Sequence, residues 1–170
     1  MKTVDRSVVT STGKLEPGNR APDFALPDGT GRIVRLSDLL GRGPIVLYFY
    51  PKDNTQGCTA QACAFRDSYV VFQEAGAEVV GVSTDSEASH QGFAEQHKLP
   101  FVLLSDEGGA VNKLYGARAM FGLMTGRVTY IIDESGTVRH VFNSMFNATR
   151  HVDVALGVVL KLQQEAEALS

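Results

Sequence analysis

Cysteine is scarce in this 170-residue chain, occurring only at positions 58 and 63, and no apolar run approaches the length of a membrane span. A structural zinc site wants four ligands in paired clusters, and the histidines at 90, 97, 140 and 151 are too scattered to complete one with two cysteines. The longest apolar stretches fall far short of the roughly 20 residues of a spanning helix, which argues against a membrane partner. Sixteen Lys and Arg residues are dispersed without a basic run or face, which argues against nucleic acid. The first twelve residues lack the continuous apolar region of a signal peptide, so the expected location is cytoplasmic or an organelle stroma such as that of a plastid. Gly41-Arg42-Gly43-Pro44 lacks the Gly-Lys-Ser/Thr ending of a phosphate-binding loop. Asn147-Ala148-Thr149 matches a glycosylation sequon formally, and without an export signal it reads as chance.

What is present is an ordinary globular composition, 44% hydrophobic and 21% charged with a net charge of −3. No linker, repeat or low-complexity block divides it, so residues 15–170 read as a single domain behind a loose polar arm, 1–14. Phe24-Ala25-Leu26 and Ile33-Val34-Arg35-Leu36 flank a Gly-containing loop and predict an N-terminal β-hairpin, after which Ser37 is placed to cap a helical turn. Strands are then expected over 45–50, 78–83, 101–104, 127–133 and 137–142. Helices are expected over 58–75, 86–97 with Ser86 as cap, 110–115 and 149–166. Alternating strands and helices closed by a hairpin and a helix indicate an α/β fold with a mixed central sheet flanked by helices. His90 and His97 would share a helix face, read as solvated. Phe121, Leu123 and Met124 form an unusually apolar Gly-punctuated stretch, read as core or as a collar that docks a reductant or second subunit.

Cys58 follows the apolar run 45–50 and a short polar turn, and it opens a predicted helix. The first N–H groups of a helix lack internal partners and carry the positive end of its dipole, so a thiolate there is favoured over the thiol. Reactivity follows from the thiolate. Cys63 lies five residues on, too far for a thioredoxin-type motif with two intervening residues. On an intact helix the two Cα atoms would stand roughly 8.6 Å apart, beyond the roughly 7 Å a disulfide tolerates. The pair can bond only if residues around 57–64 unwind, so the spacing predicts a helix that melts on oxidation. Two buried, inert thiols are the plainer alternative.

Pro51, Thr55 and Cys58 stand in a Pro-x-x-x-Thr-x-x-Cys arrangement, and the run from Tyr50 to Cys63 resembles the peroxiredoxins, in the branch of peroxiredoxin Q and bacterioferritin comigratory protein. Ala64-Phe65-Arg66-Asp67, Leu103 to Gly108 and Gly126 to Asp133 extend the resemblance over roughly residues 15–165. It implies a thioredoxin-like fold and an antioxidant peroxidase that reduces hydrogen peroxide and organic hydroperoxides. Cys58 would be the peroxidatic cysteine and Cys63 the resolving one, joined in an intramolecular disulfide that thioredoxin or a similar dithiol donor reduces. Thr55 would hydrogen-bond the thiolate and the peroxide, Arg127 would pair with the thiolate and polarise the peroxide, and Pro51 would shield the site from water. The cycle needs no metal or organic cofactor. The branch implies a monomer, with the apolar stretch leaving room for a dimer. Gln56 and Thr125 depart from the branch, standing where many of its members carry proline.

Ionisation alone does not make such an enzyme fast. Lowering a thiol pKa from about 8.5 to about 6 raises the thiolate fraction at pH 7 only about thirty-fold. The remaining acceleration must come from orienting the O–O bond and from donors placed where charge develops. Rival readings are a redox-sensing module whose helix melts to alter a partner surface, and a dithiol oxidoreductase acting on disulfides.

Overall fold

A computed structural model describes residues 15–119, 122 and 124–169. The arm expected over 1–14 lies outside the described residues, as do Phe121 and Leu123 of the apolar stretch. The chain opens with the expected hairpin, β1 (Ala25–Pro27) against β2 (Ile33–Arg35), followed by the short helix α1 (Leu36–Leu39). Ser37 does not cap that helix. It lies within the helix, and its N–H donates to Asp23 Oδ1 at 2.9 Å, so an acidic side chain from fourteen residues upstream serves the exposed N–H.

The central strand β3 (Ile45–Phe49) is buried along its whole length. Its alternate side chains supply two cores. Ile45, Leu47 and Phe49 pack with Val80, Val82, Leu104, Tyr130 and Ile132, while Val46 and Tyr48 join Phe65, Phe72, Phe101, Leu103 and Ile131. A strand covered on both faces carries an unbroken apolar run, as here. β4 (Glu78–Ser83) and β5 (Val102–Ser105) continue the sheet in parallel from one side of β3, and β8 (Val128–Ile132) and β9 (Val138–Asn143) continue it antiparallel from the other. The order is β5-β4-β3-β8-β9. Parallel neighbours need long connections. Helices α2 (Gln56–Asp67) and α3 (Tyr69–Glu74) supply the first, and α4 (Glu87–His97) supplies the second.

The single helix expected over 58–75 is therefore two. Ser68 leaves helical geometry at φ −99°, ψ 2°, and both Ser68 and the β-branched pair Val70-Val71 are weak helix formers. The apolar stripe survives the break, since Phe65 and Phe72 enter the same core, and for that reason periodicity does not show it. Ser86 does cap α4, its hydroxyl accepting from Ser89 N–H at 3.1 Å. Helix α5 (Ala110–Tyr115) follows β5, and the C-terminal helix α6 (Arg150–Leu169) lays Val152, Ala155 and Val159 into the second core. A two-residue ladder, β6 (Arg118–Ala119) with β7 (Met124–Thr125), is too short for any sequence pattern to register. Met124 is half-exposed there and Thr125 is buried. Among the described residues no helix is long and apolar enough to cross a membrane.

Candidate active site

The chain leaves the end of β3 through Tyr50 and a half-buried Pro51, then turns sharply at Asn54, whose φ of 62° is one that asparagine tolerates better than most residues. Thr55, extended at φ −88°, ψ 156°, is the N-cap of α2. Cys58 is thus the third residue of the helix, and its side chain is only 1% exposed. It sits among the orphan amides of the first turn, as its sequence position predicts. The Thr55 hydroxyl donates to Lys52 O at 2.8 Å. Its one hydrogen is thereby engaged, so toward Cys58 or a ligand it is an acceptor in this state.

The donor to sulfur is Arg127, whose Nη2 stands 3.3 Å from Cys58 Sγ. Antiparallel pairing explains the meeting of two residues 69 positions apart. Phe49 at the end of β3 pairs with Val128 at the start of β8, so the residue before β8 faces the segment after β3. The guanidinium fork is held on all sides: Nη1 donates to Gln61 Oε1 at 2.5 Å and Nε to Met145 O at 3.0 Å. Arg127 is 5% exposed, a buried cation and not a solvated strand end. Gly57 is what admits it, since a Cβ there would lie 3.1 Å from Nη2. The buried, permanently charged guanidinium thus points a fixed donor at the sulfur in the first turn of α2.

Cys63 is half-buried further along the same helix, with its sulfur 3.9 Å from His97 Nδ1. Arg66 Nη1 donates to His97 O at 2.7 Å and ties the ends of α2 and α4 together. Both cysteines are free thiols. With α2 intact from Gln56 to Asp67, they look toward different neighbours, Arg127 and His97.

Sequence reasoning passed over several residues of this site. Gln61 lies in the buried stripe Cys58, Ala62, Phe65 of α2, and a polar residue inside an apolar stripe is the signal that marks it. His151, at the start of α6, is buried; its ring accepts from the Thr129 hydroxyl and donates to Ser144 O, both at 2.8 Å. Burial pushes its pKa down to about 4, a backbone bond to Ser144 opposing and the charge of Arg127 assisting, so the ring is neutral. It braces the segment whose next carbonyl, Met145 O, holds Arg127. His90 is fully buried, so the solvated face expected for His90 and His97 is not found. The helix crosses the end of β5, and His90 Nε2 meets Leu104 O at 2.9 Å. Burial also lifts Tyr48 well above the ordinary tyrosine range, the nearby Cys58 and Asp53 adding to the effect.

Among the described residues one grouping has metal-ligand proximity, Asp53, Asp85 and His90. Its ligand atoms are already engaged. Asp53 accepts from Tyr50, Ser89 and His90, and Asp85 Oδ2 accepts from Ser83 and from Asp53 N–H. A metal there would have to displace these hydrogen bonds.

The sequence profile of the AhpC/TSA family matches residues 17–141. Chloroplastic peroxiredoxin Q of Oryza sativa subsp. japonica is 50% identical over 151 residues, 88% of this chain and 69% of that protein. The chloroplastic peroxiredoxin Q of Sedum lineare is also 50% identical, over 88% of this chain and 81% of its own. Peroxidoxin BcpB from Mycobacterium tuberculosis superposes with a TM-score of 0.80 at 41% identity, covering 85% of this chain and 96% of that one. The bacterioferritin comigratory protein of Xanthomonas campestris, studied for alkyl peroxide reduction, superposes at 0.75 with 28% identity over 82% and 92%. The chain therefore belongs to the AhpC/TSA family, in the peroxiredoxin Q and bacterioferritin comigratory protein branch, and is a thiol peroxidase with the thioredoxin-like peroxiredoxin fold.

Proposed function

We propose that Cys58 is the peroxidatic cysteine and Cys63 the resolving one, in a single domain spanning residues 15–170. The observation that carries this is the Arg127 Nη2 to Cys58 Sγ contact of 3.3 Å at the buried first turn of α2. The Cys58 thiolate attacks one oxygen of the peroxide, the S–O bond forms as the O–O bond breaks, and the departing alkoxide or hydroxide takes a proton to leave as alcohol or water. Cys58 becomes a sulfenic acid. Arg127 donates to the developing charge. The Thr55 oxygen, with its hydrogen on Lys52 O, accepts from the peroxide O–H. Pro51 limits water above the sulfur. The Cys63 thiol then attacks Cys58 sulfur, forming the disulfide and releasing water, and this step requires the first turns of α2 to unwind.

A thioredoxin-like dithiol donor returns two electrons to the disulfide. Hydrogen peroxide and organic hydroperoxides are the substrates, the latter in keeping with the alkyl peroxide reduction studied in the Xanthomonas relative. Of the two expected locations, the plant relatives named as chloroplastic support the organelle stroma, that of a plastid. The test is mass analysis of reduced protein after one equivalent of peroxide. A Cys58 to Cys63 disulfide in the parent, and a sulfenic acid trapped on Cys58 in Cys63→Ser, are expected. Oxidation of Cys63 alone would overturn the assignment.

A further inference from the structure

Asp53 lies five residues before Cys58, in the loop between β3 and α2, and such connections ordinarily run solvated over the surface. This one is nailed down. The Asp53 carboxylate accepts from Tyr50 Oη at 2.6 Å, from Ser89 Oγ at 2.9 Å and from His90 Nδ1 at 2.7 Å. Its backbone N–H donates to Asp85 Oδ2 at 2.9 Å. The side chains of His90 and Asp53 are 0% and 1% exposed.

Hydrogen-bond accounting fixes the protons. Leu104 O can only accept, so His90 Nε2 carries a hydrogen. The Nδ1 to Oδ2 contact of 2.7 Å needs one more, which the ring and the carboxyl group share. With the Tyr50 and Ser89 hydroxyls on the carboxyl oxygens, each of these polar groups has a partner. Polar groups are costly at that depth and are kept there only when hydrogen-bonded.

The pair lies where the proposed cycle needs a fixed point. α2 must unwind for Cys58 to reach Cys63, and something must decide how far upstream the loosening travels. Asn54, held at φ 62°, follows the anchored residue directly and is placed to act as the hinge. We propose that the buried Asp53–His90 pair positions Cys58, anchoring the chain ahead of α2 so that the thiol meets Arg127 in the reduced state and only residues beyond 53 unwind when the disulfide forms. This rests on the reading of Cys58 as the peroxidatic cysteine. Asp53 and His90 act through the loop and do not touch the reacting atoms.

The experiment compares reduced parent protein with Asp53→Asn, His90→Gln and the double variant, well below their melting temperatures. Hydrogen exchange of amides 59–62, the first with helical acceptors, and the rates of sulfenic acid and of disulfide formation are measured. The single variants are expected to speed exchange at 59–62 and slow sulfenic acid formation about tenfold or more through misplacement of the thiol, while disulfide formation is unchanged or faster. Ser89→Ala, which removes one bond at the rim, should shift both in the same direction by less, and it decides the matter if the Asp53 and His90 variants do not fold. Exchange and sulfenic acid formation within twofold of the parent, whatever the melting temperature does, would overturn the proposal. Should the parent form no oxidised Cys58 at all, the peroxidatic reading falls, and exchange at 59–62 still judges the anchor.

Discussion

Arg127 Nη2 stands 3.3 Å from Cys58 Sγ, and the two residues meet because the end of β3 is paired with the start of β8. The sheet does the positioning, while Gln61 Oε1 and Met145 O hold the guanidinium fork at its other donors. Three partners in three directions match a planar fork and not a point charge.

Arg127→Lys should therefore behave almost as badly as Arg127→Ala. Removing one preorganised donor to developing charge typically costs about 10²–10³ in rate. Both variants are expected to lose that much in the second-order rate of Cys58 oxidation by peroxide. A lysine variant within a few-fold of the parent would show that charge alone suffices.

Gly57→Ala sets two effects against each other. Alanine in place of glycine within a helix is worth about 1 kcal/mol in propensity. The new Cβ would lie 3.1 Å from Arg127 Nη2, and the pinned guanidinium has little room to retreat. We expect urea unfolding to show equal or greater stability, and peroxide reaction to slow about tenfold from the displaced donor. Unchanged peroxide kinetics would mean that the fork yields freely.

Gln56→Pro tests the unwinding step. Gln56 is the first residue of α2, where proline is well accepted, and Thr55 before it already has the extended geometry that proline imposes on its predecessor. The substitution should stabilise the reduced protein by about 0.4–1 kcal/mol. It should slow disulfide formation in stopped-flow while leaving the first oxidation unchanged. A disulfide step no slower than the parent's would contradict the link between helix unwinding and resolution.

His151 gives a pH dependence with a definite sign. Its folded pKa is about 4 against an ordinary 6.5, so between those values the unfolded chain binds a proton that the folded chain refuses. Its contribution to stability is full above about pH 6.5, declines as pH falls toward about 4, and is gone below that. Urea midpoints from pH 7 to pH 4 should fall in the parent by more than in His151→Gln. Parallel curves would remove His151 from the account.

Much of this was legible in the sequence because it is local. The buried strand 45–50, the polar turn and the thiol opening a helix are contiguous, and a helix start can be read from a few residues. The boundaries of β4 and α5 and the Ser86 cap follow from similarly local patterns. What escaped is whatever tertiary contact decides. The break at Ser68 keeps the apolar stripe in phase and leaves no trace in periodicity. The cap of α1 comes from Asp23, far from the helix it serves. His90 looked like a solvated residue because its partners, Asp53 and Leu104 O, lie 37 and 14 positions away. Gln61 offered a sign, a polar residue in a buried stripe, but its meaning depends on Arg127 arriving from 66 positions downstream.

In the proposed mechanism a two-cysteine peroxidase cycle begins at Cys58. The most direct test is steady-state consumption of hydrogen peroxide with a thioredoxin reducing system, in the parent, Cys58→Ser and Cys63→Ser. Sustained turnover is expected in the parent, none in Cys58→Ser, and a stall after about one equivalent in Cys63→Ser, in which the sulfenic acid has no partner. Turnover that survives loss of Cys58 would contradict that mechanism.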